Sequence, residues 1–176
     1  MEQAKNAQND TLEFVSTIIT DKQGRPLLLK RLDTLKLDPG KYDMCSGHMK
    51  KGECPMQSMY RELREEVGMM HYDMLQVNKL GDIATPHPMF QNTICHMYHI
   101  ITNLTEKQIN ENIEKTPDRE MEYGRFLNDI DELRILQRDT TSFRTPYTKE
   151  MEHIYQLVEE RVEDRKEWKE RECEEK

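Results

Sequence analysis

From Thr11 the chain reads TLEFVSTIIT, a run rich in β-branched and aromatic residues that predicts a strand. After the turn DKQG, RPLLLKRL predicts a second strand, and the two together predict a hairpin bent at Gly24. The following DTLKLDPGKYDMCSGHMKKGE holds Pro39, Gly40, Gly47 and Gly52, so it reads as loop with a short extended piece near Tyr42. A helix is predicted from Pro55 to Val67, with Pro55 at its first position and Gly68 as the left-handed residue past its end. Met56, Met59, Tyr60, Leu63 and Val67 recur at helical spacing and predict its buried stripe. MLQVNKLGDIA and NTICHMYHII read as strands on either side of a TPHP turn. TEKQINENIEK reads as a short helix with Thr105 and Gln108 in capping-box positions, EMEYGRFLN as a strand, and DIDELRIL as another helix.

The last 30 or so residues predict one long charged helix. Thr145 is placed to cap it and Pro146 to open it; Met151, Tyr155, Val158 and Val162 form a narrow apolar seam. That seam suits one partner surface, either the domain's own sheet or the same helix of a second subunit in a homodimer. The predicted organisation is a polar, disordered start over 1–10, one α+β domain over 11–145, and a C-terminal helix over 146–176.

Hydrophobic residues make up 35% of the 176 and charged ones 34%, so the apolar middle of the chain must carry most of the core. A net charge of −8 argues against a nucleic-acid coat or an anionic membrane surface, but a single nucleotide can bind where divalent metal offsets both sets of charge. No apolar run approaches a membrane span, and MEQAKNAQND does not resemble a signal peptide. Cys45, Cys54, Cys95 and Cys173 have no repeated spacing, which predicts free thiols and a cytoplasmic location.

Glu62, Glu65 and Glu66 crowd negative charge onto one predicted helix, on the side away from Met59, Leu63 and Val67. A bare acidic triplet would read as a solvated face, although hard divalent cations need carboxylate oxygens converging in this way. The flanking residues decide between the two. Gly47, Glu53, Arg61-Glu62-Leu63, Glu65-Glu66 and Gly68-Met69 stand at the full spacing of the Nudix box. From average residue usage, a chance match at a given start is on the order of 10⁻¹⁰. The chain therefore resembles the Nudix hydrolases, and that resemblance implies an α/β/α sandwich with a mixed β-sheet. It also implies metal-assisted hydrolysis of a diphosphate bond in a nucleoside diphosphate linked to another group, with Mg²⁺ or Mn²⁺ as cofactor. Carried over residue by residue, Glu62, Glu65 and Glu66 with the Gly47 carbonyl are the implied metal ligands, and Arg61 and Glu53 the orienting pair.

Relatives often place a general base just before the late strand, where this chain has Glu120, with Glu122 two residues on; the plain alternative is surface charge. Arg31 lies where relatives often hold a phosphate, although it also suits an ordinary strand end. His87 and Phe90 in the TPHPMF loop and Tyr98 on the next strand are candidates to line the substrate pocket, with core packing the alternative for Tyr98. Tyr42-Asp43 followed by Gly47-His48 resembles the branch related to isopentenyl-diphosphate isomerase, in which a cysteine adjoins the Gly-His. Here Ser46 separates Cys45 from Gly47, and the box is intact, which favours hydrolysis over isomerisation or binding without cleavage. A zinc site from Cys45 and His48 with Cys54, Cys95 or His96 lacks a supporting second motif.

Overall fold

The structure is a computed structural model that describes residues 11–84, 92–139, 141–144 and 148–174; the side chains of Asn92 and of residues 166–174 are not described. His87 and Phe90, and the Thr145 cap with Pro146, lie outside the described residues.

Strands β1 (Thr11–Thr20), β4 (Cys45–His48), β5 (Met74–Ala84) and β6 (Asn92–Thr102) form a mixed sheet in the order β4-β1-β6-β5. Within it β1 and β6 run parallel, while the β1–β4 and β5–β6 pairs are antiparallel. Strands β2 (Leu27–Arg31), β3 (Tyr42–Asp43) and β7 (Met121–Phe126) make a separate antiparallel sheet, ordered β3-β2-β7. The expected hairpin is corrected here. β1 and β2 are joined by a turn and a single bridge, Thr20 to Pro26, and then enter different sheets. The Asp21 carboxylate holds that turn by accepting from the Gln23 and Arg25 amides, each at 2.9 Å. Gly24 sits there at φ +84°, and a Cβ on it would come within 2.2 Å of Val162. The turn is thus a packing contact for the last helix as well as a reversal.

Alternation along β1 and β6 gives the mixed sheet two buried faces. One face carries Val15, Ile19, Tyr98 and Ile100, and packs with Met59, Leu63 and Val67 of α1 (Pro55–Glu66) and with Ile109 and Ile113 of α2 (Glu106–Ile113). The other carries Ile18, Cys95 and Met97, and packs with Leu133 of α3 (Ile130–Arg138) and with Met151, Ile154, Tyr155 and Val158 of α4 (Lys149–Glu174). The helical tail therefore completes the second half of the core. Its seam includes Ile154, which the narrower sequence pattern omitted. The short helices end as their sequences suggest: Thr105 and Gln108 cap each other reciprocally, and Asp129 accepts from the Glu132 amide at 2.9 Å.

The apolar packing surrounds a buried histidine. His99, fully buried on the α4 side of β6, shares a 2.9 Å hydrogen bond between its Nε2 and the Thr20 hydroxyl. Burial, with Arg161 and Arg165 nearby, lowers its pKa from 6.5 to about 4. Between those values the unfolded chain binds the extra proton, so stability is complete above pH 6.5 and falls as the pH drops towards 4. Denaturation of wild type and His99→Gln from pH 7 to 4 should show a steeper wild-type loss, by roughly 3 kcal/mol at the acid end. Parallel curves would show that His99 is not held neutral.

Candidate active site

The loop before α1 and the helix itself are fixed by backbone geometry. Pro55 opens the helix, and after Val67 the chain leaves through Gly68 at φ +64°, with the Met69 amide donating back to the Leu63 carbonyl at 3.1 Å. That closing pattern needs a left-handed residue, and a Cβ on Gly68 would also crowd Asn112. The predicted stripe is rotated from expectation. Met56 and Tyr60 are exposed, whereas Ser58, Glu62 and Glu66 join Met59 and Leu63 in the buried face. At about 100° per residue Glu66 projects within roughly 20° of Met59, so it points at the sheet, while Glu65 turns outward and Glu62 lies between them.

Glu62 and Glu66 are 8% and 5% exposed, which is unusual for carboxylates. Glu66 accepts from the Ser46 backbone amide at 2.9 Å, and burial beside Asp43 and Glu62 pushes its pKa well above the ordinary carboxylate range. Burial also raises Glu62, against the opposing pull of Arg61. The Glu62 carboxylate lies over Gly47 so closely that a Cβ there would come within 2.0 Å of Oε1. Any side chain there would displace the Glu62 carboxylate, so Gly47 keeps it in place by contact, independently of any turn.

Arg61 is the organiser. Its Nε and Nη2 donate to the two oxygens of Glu53 at 2.7 and 2.9 Å, and Nη2 also reaches the His48 carbonyl at 2.8 Å. Its Nη1 donates to Glu62 and, at 3.0 Å, to Glu65. Glu65 is half-exposed and also faces Lys50 at 3.6 Å. The forked donor suits this task because each nitrogen is directed at a different oxygen. The Arg61 bonds, with help from the Lys50 amide, hold Glu53 down at about 2, so the pair stays charged. The glutamates are neighbours, but their carboxylates are oriented by Arg61 and Ser46. Among the described residues no three His, Cys, Asp or Glu side chains are grouped as ligands of one metal ion. The donor chemistry still fits a hard divalent cation: two buried carboxylates, a third at the rim, and Gly47, where no side chain intervenes.

Two further residues were not singled out from the sequence. Asp43, fully buried, accepts from Arg144 Nη1 at 3.0 Å and from the Ser46 hydroxyl at 3.3 Å, so it braces the strand that holds Glu66. The Tyr-Asp pair at 42–43 was a visible signal for Asp43; nothing local marked Arg144, which arrives 101 residues later in the chain. Arg31 is 3% exposed, with Nε and Nη1 lacking hydrogen-bond partners among the described residues and Nη1 3.3 Å from the half-exposed Glu120 carboxylate. Tyr98 is a core residue, 2% exposed and packed with α1. The zinc grouping is not assembled: Cys45 and Cys95 belong to opposite faces of the mixed sheet, and Cys45, Cys54 and Cys95 are free thiols.

Known proteins give the same picture. The Nudix domain family model matches residues 13–126. Comparison with curated proteins finds no match. Among solved structures, a Bacillus subtilis pyrophosphohydrolase is 17% identical with a TM-score of 0.60, over 91% of this chain and 87% of that one. A Nudix hydrolase from Nitrosomonas europaea is 19% identical with a TM-score of 0.58, over 84% and 90%. The Ap4A hydrolase of C. elegans is 14% identical with a TM-score of 0.52, over 74% and 90%. These likenesses establish a shared fold, and with the family match over most of the chain they lead to one assignment: the chain belongs to the Nudix family.

Proposed function

We propose that this chain is a divalent-metal-dependent hydrolase that cleaves the diphosphate bond of a nucleoside diphosphate linked to another group. The observation that carries this reading is the pair of buried carboxylates, Glu62 over the side-chain-free Gly47 and Glu66 at the neighbouring Ser46 amide. Such a pair is costly in an isolated protein and becomes favourable when a cation shares it. Glu62, Glu65, Glu66 and the Gly47 carbonyl would hold Mg²⁺ or Mn²⁺. When bound, the ion neutralises diphosphate oxygens and lowers the pKa of its water. Arg61 and Glu53 tie the loop to the helix, so the ligands keep their spacing. Arg31, ion-paired with Glu120 and with its Nε lacking a hydrogen-bond partner among the described residues, would offer its guanidinium to a phosphate of the substrate. Glu120, half-exposed beside it, is the candidate to take the proton from water. No helix among the described residues is long and apolar enough to cross a membrane, and the substrate is a small molecule. The pyrophosphohydrolase and the Ap4A hydrolase among the similar structures support a nucleotide-derived diphosphate as that molecule.

The isomerase reading requires chemistry at Cys45. That thiol is 1% exposed, and burial beside Glu66, Glu62 and Asp43 raises its pKa well above 9, so it is neutral and shielded. Cys45→Ala should leave diphosphate hydrolysis within a few-fold of wild type. Conversion of isopentenyl diphosphate by wild type, abolished in Cys45→Ala, would replace the hydrolase reading with the isomerase one.

A further inference from the structure

On the side of the mixed sheet away from α1, β5 and α4 border a groove of about 720 Å³, lined by Gln76, Arg161 and Arg165 among others. Arg161 and Arg165 stand one turn apart on α4, half-buried and turned inward, whereas Glu160 and Asp164 are exposed at the rim. Among the described residues neither arginine has a carboxylate partner, although the chain carries 34 acidic residues against 26 Lys and Arg. Elsewhere on the same helix, acidic residues are used in pairing: Glu152 and Glu159 both bind Arg134.

The sheet beneath presents donors of the same kind. Asn78 and His99 are cross-strand partners, and Gln76 precedes them on the same face, with its amide donating to Asn78 Oδ1 at 3.2 Å. Among the described residues, Asn78 Nδ2, His99 Nδ1 and Arg165 Nη1 are all buried and without hydrogen-bond partners. Orphaned buried polar atoms are rare and each requires an explanation. When the Thr20 hydroxyl donates to His99 Nε2, Nδ1 carries the proton and becomes a further donor. Buried donors on the sheet thus lie beneath the two guanidinium groups of the groove, which act on His99 from α4, and the carboxylates of Glu160 and Asp164 at the rim pair with neither arginine among the described residues. The missing group is an acceptor with several oxygens and negative charge.

We propose that this groove is a second binding site, separate from the carboxylate helix, that takes a phosphate-class oxyanion, with Arg161 and Arg165 as charge partners, Gln76 as a neutral donor, and Asn78 and His99 in the sheet beneath. Tetrahedral phosphate provides several acceptor oxygens, and forked guanidinium donors match that geometry. Free phosphate and the phosphate of a nucleotide share this chemistry.

The test uses the full chain with a chelator present, so that phosphate cannot bind through metal at α1. Inorganic phosphate and AMP are titrated separately, with backbone amide NMR shifts and melting temperature as readouts. Saturable binding of phosphate, with shifts centred on Gln76, Asn78 and His99, supports a site for the free anion. The same response to AMP alone supports a site for a phosphate ester. Arg161→Gln with Arg165→Gln should weaken either response at least tenfold while leaving diphosphate hydrolysis unchanged. Should the double variant fold poorly, Arg165→Gln alone decides, with several-fold weakening expected. No saturable response from either probe, shifts confined to residues 47–66, or undiminished binding in the variant would overturn the site.

Discussion

Glu66→Gln should abolish most diphosphate turnover while making the metal-free protein slightly more stable. On the proposed mechanism the loss would follow from removing an anionic metal ligand beside the reacting diphosphate. Metal contributes several kcal/mol of charge stabilisation there, so a loss of about 4 kcal/mol corresponds to on the order of 10³-fold in rate. The gain in stability has the opposite origin. Glu66 is 5% exposed, and Asp43 and Glu62 oppose its charge, so neutralising it relieves a repulsion while the Ser46 amide keeps an oxygen acceptor. Each kcal/mol recovered should raise the melting temperature by about 2–4 °C. Steady-state kinetics and a thermal melt in chelator test both halves. Undiminished turnover would remove Glu66 from the site, and a strong drop in melting temperature would make it a structural residue.

Loss of Tyr155 should be the most destabilising single change in the tail. Its ring is fully buried between the mixed sheet and α3, its hydroxyl donates to the buried Gln137, and the Arg134 guanidinium lies 5.5 Å from its ring centre. Tyr155→Ala removes all three contacts and should cost about 3–5 kcal/mol, a fall in melting temperature on the order of 10 °C. Truncation before Lys149 should go further, because Met151, Ile154 and Val158 leave with it and uncover Ile18, Met97 and Leu133. We propose that the tail is part of the domain's core, so truncation changes the melting temperature first. A truncated chain that melts at the wild-type temperature would show that the helix is dispensable. Sedimentation of the intact chain answers separately whether a homodimer forms.

Strand and helix positions were legible because each has a strong local cause. α1 lies between a proline and a left-handed glycine, and α2 begins at a reciprocal Thr–Gln cap. What failed was what depends on packing between distant segments. The TLEFVSTIIT and RPLLLKRL runs carry no local sign that they join different sheets, since their partners in β6 and β7 come about 80–100 residues later. The α1 stripe was misjudged because Glu62 and Glu66 count as polar on any hydrophobicity pattern, yet they face β4, where Gly47 leaves room and Ser46 donates. The grouping of the box residues was therefore readable from spacing, whereas their burial was not. Arg144 and Asp43 were invisible as a pair for the same reason: an ion pair between remote residues leaves no trace in periodicity.

The central claim is that Gly47, Glu62, Glu65 and Glu66 hold a divalent ion that serves diphosphate hydrolysis. Its most direct measurement is product formation from a panel of nucleoside diphosphate derivatives, dinucleotides and capped RNA ends, with Mg²⁺ or Mn²⁺ and with chelator. The products are followed by mass spectrometry in ¹⁸O-water. We expect at least one substrate to give two phosphate-ester products, with one ¹⁸O in one of them, only when metal is present. Turnover that persists in chelator, or no cleavage of any panel member at saturating metal, would contradict it.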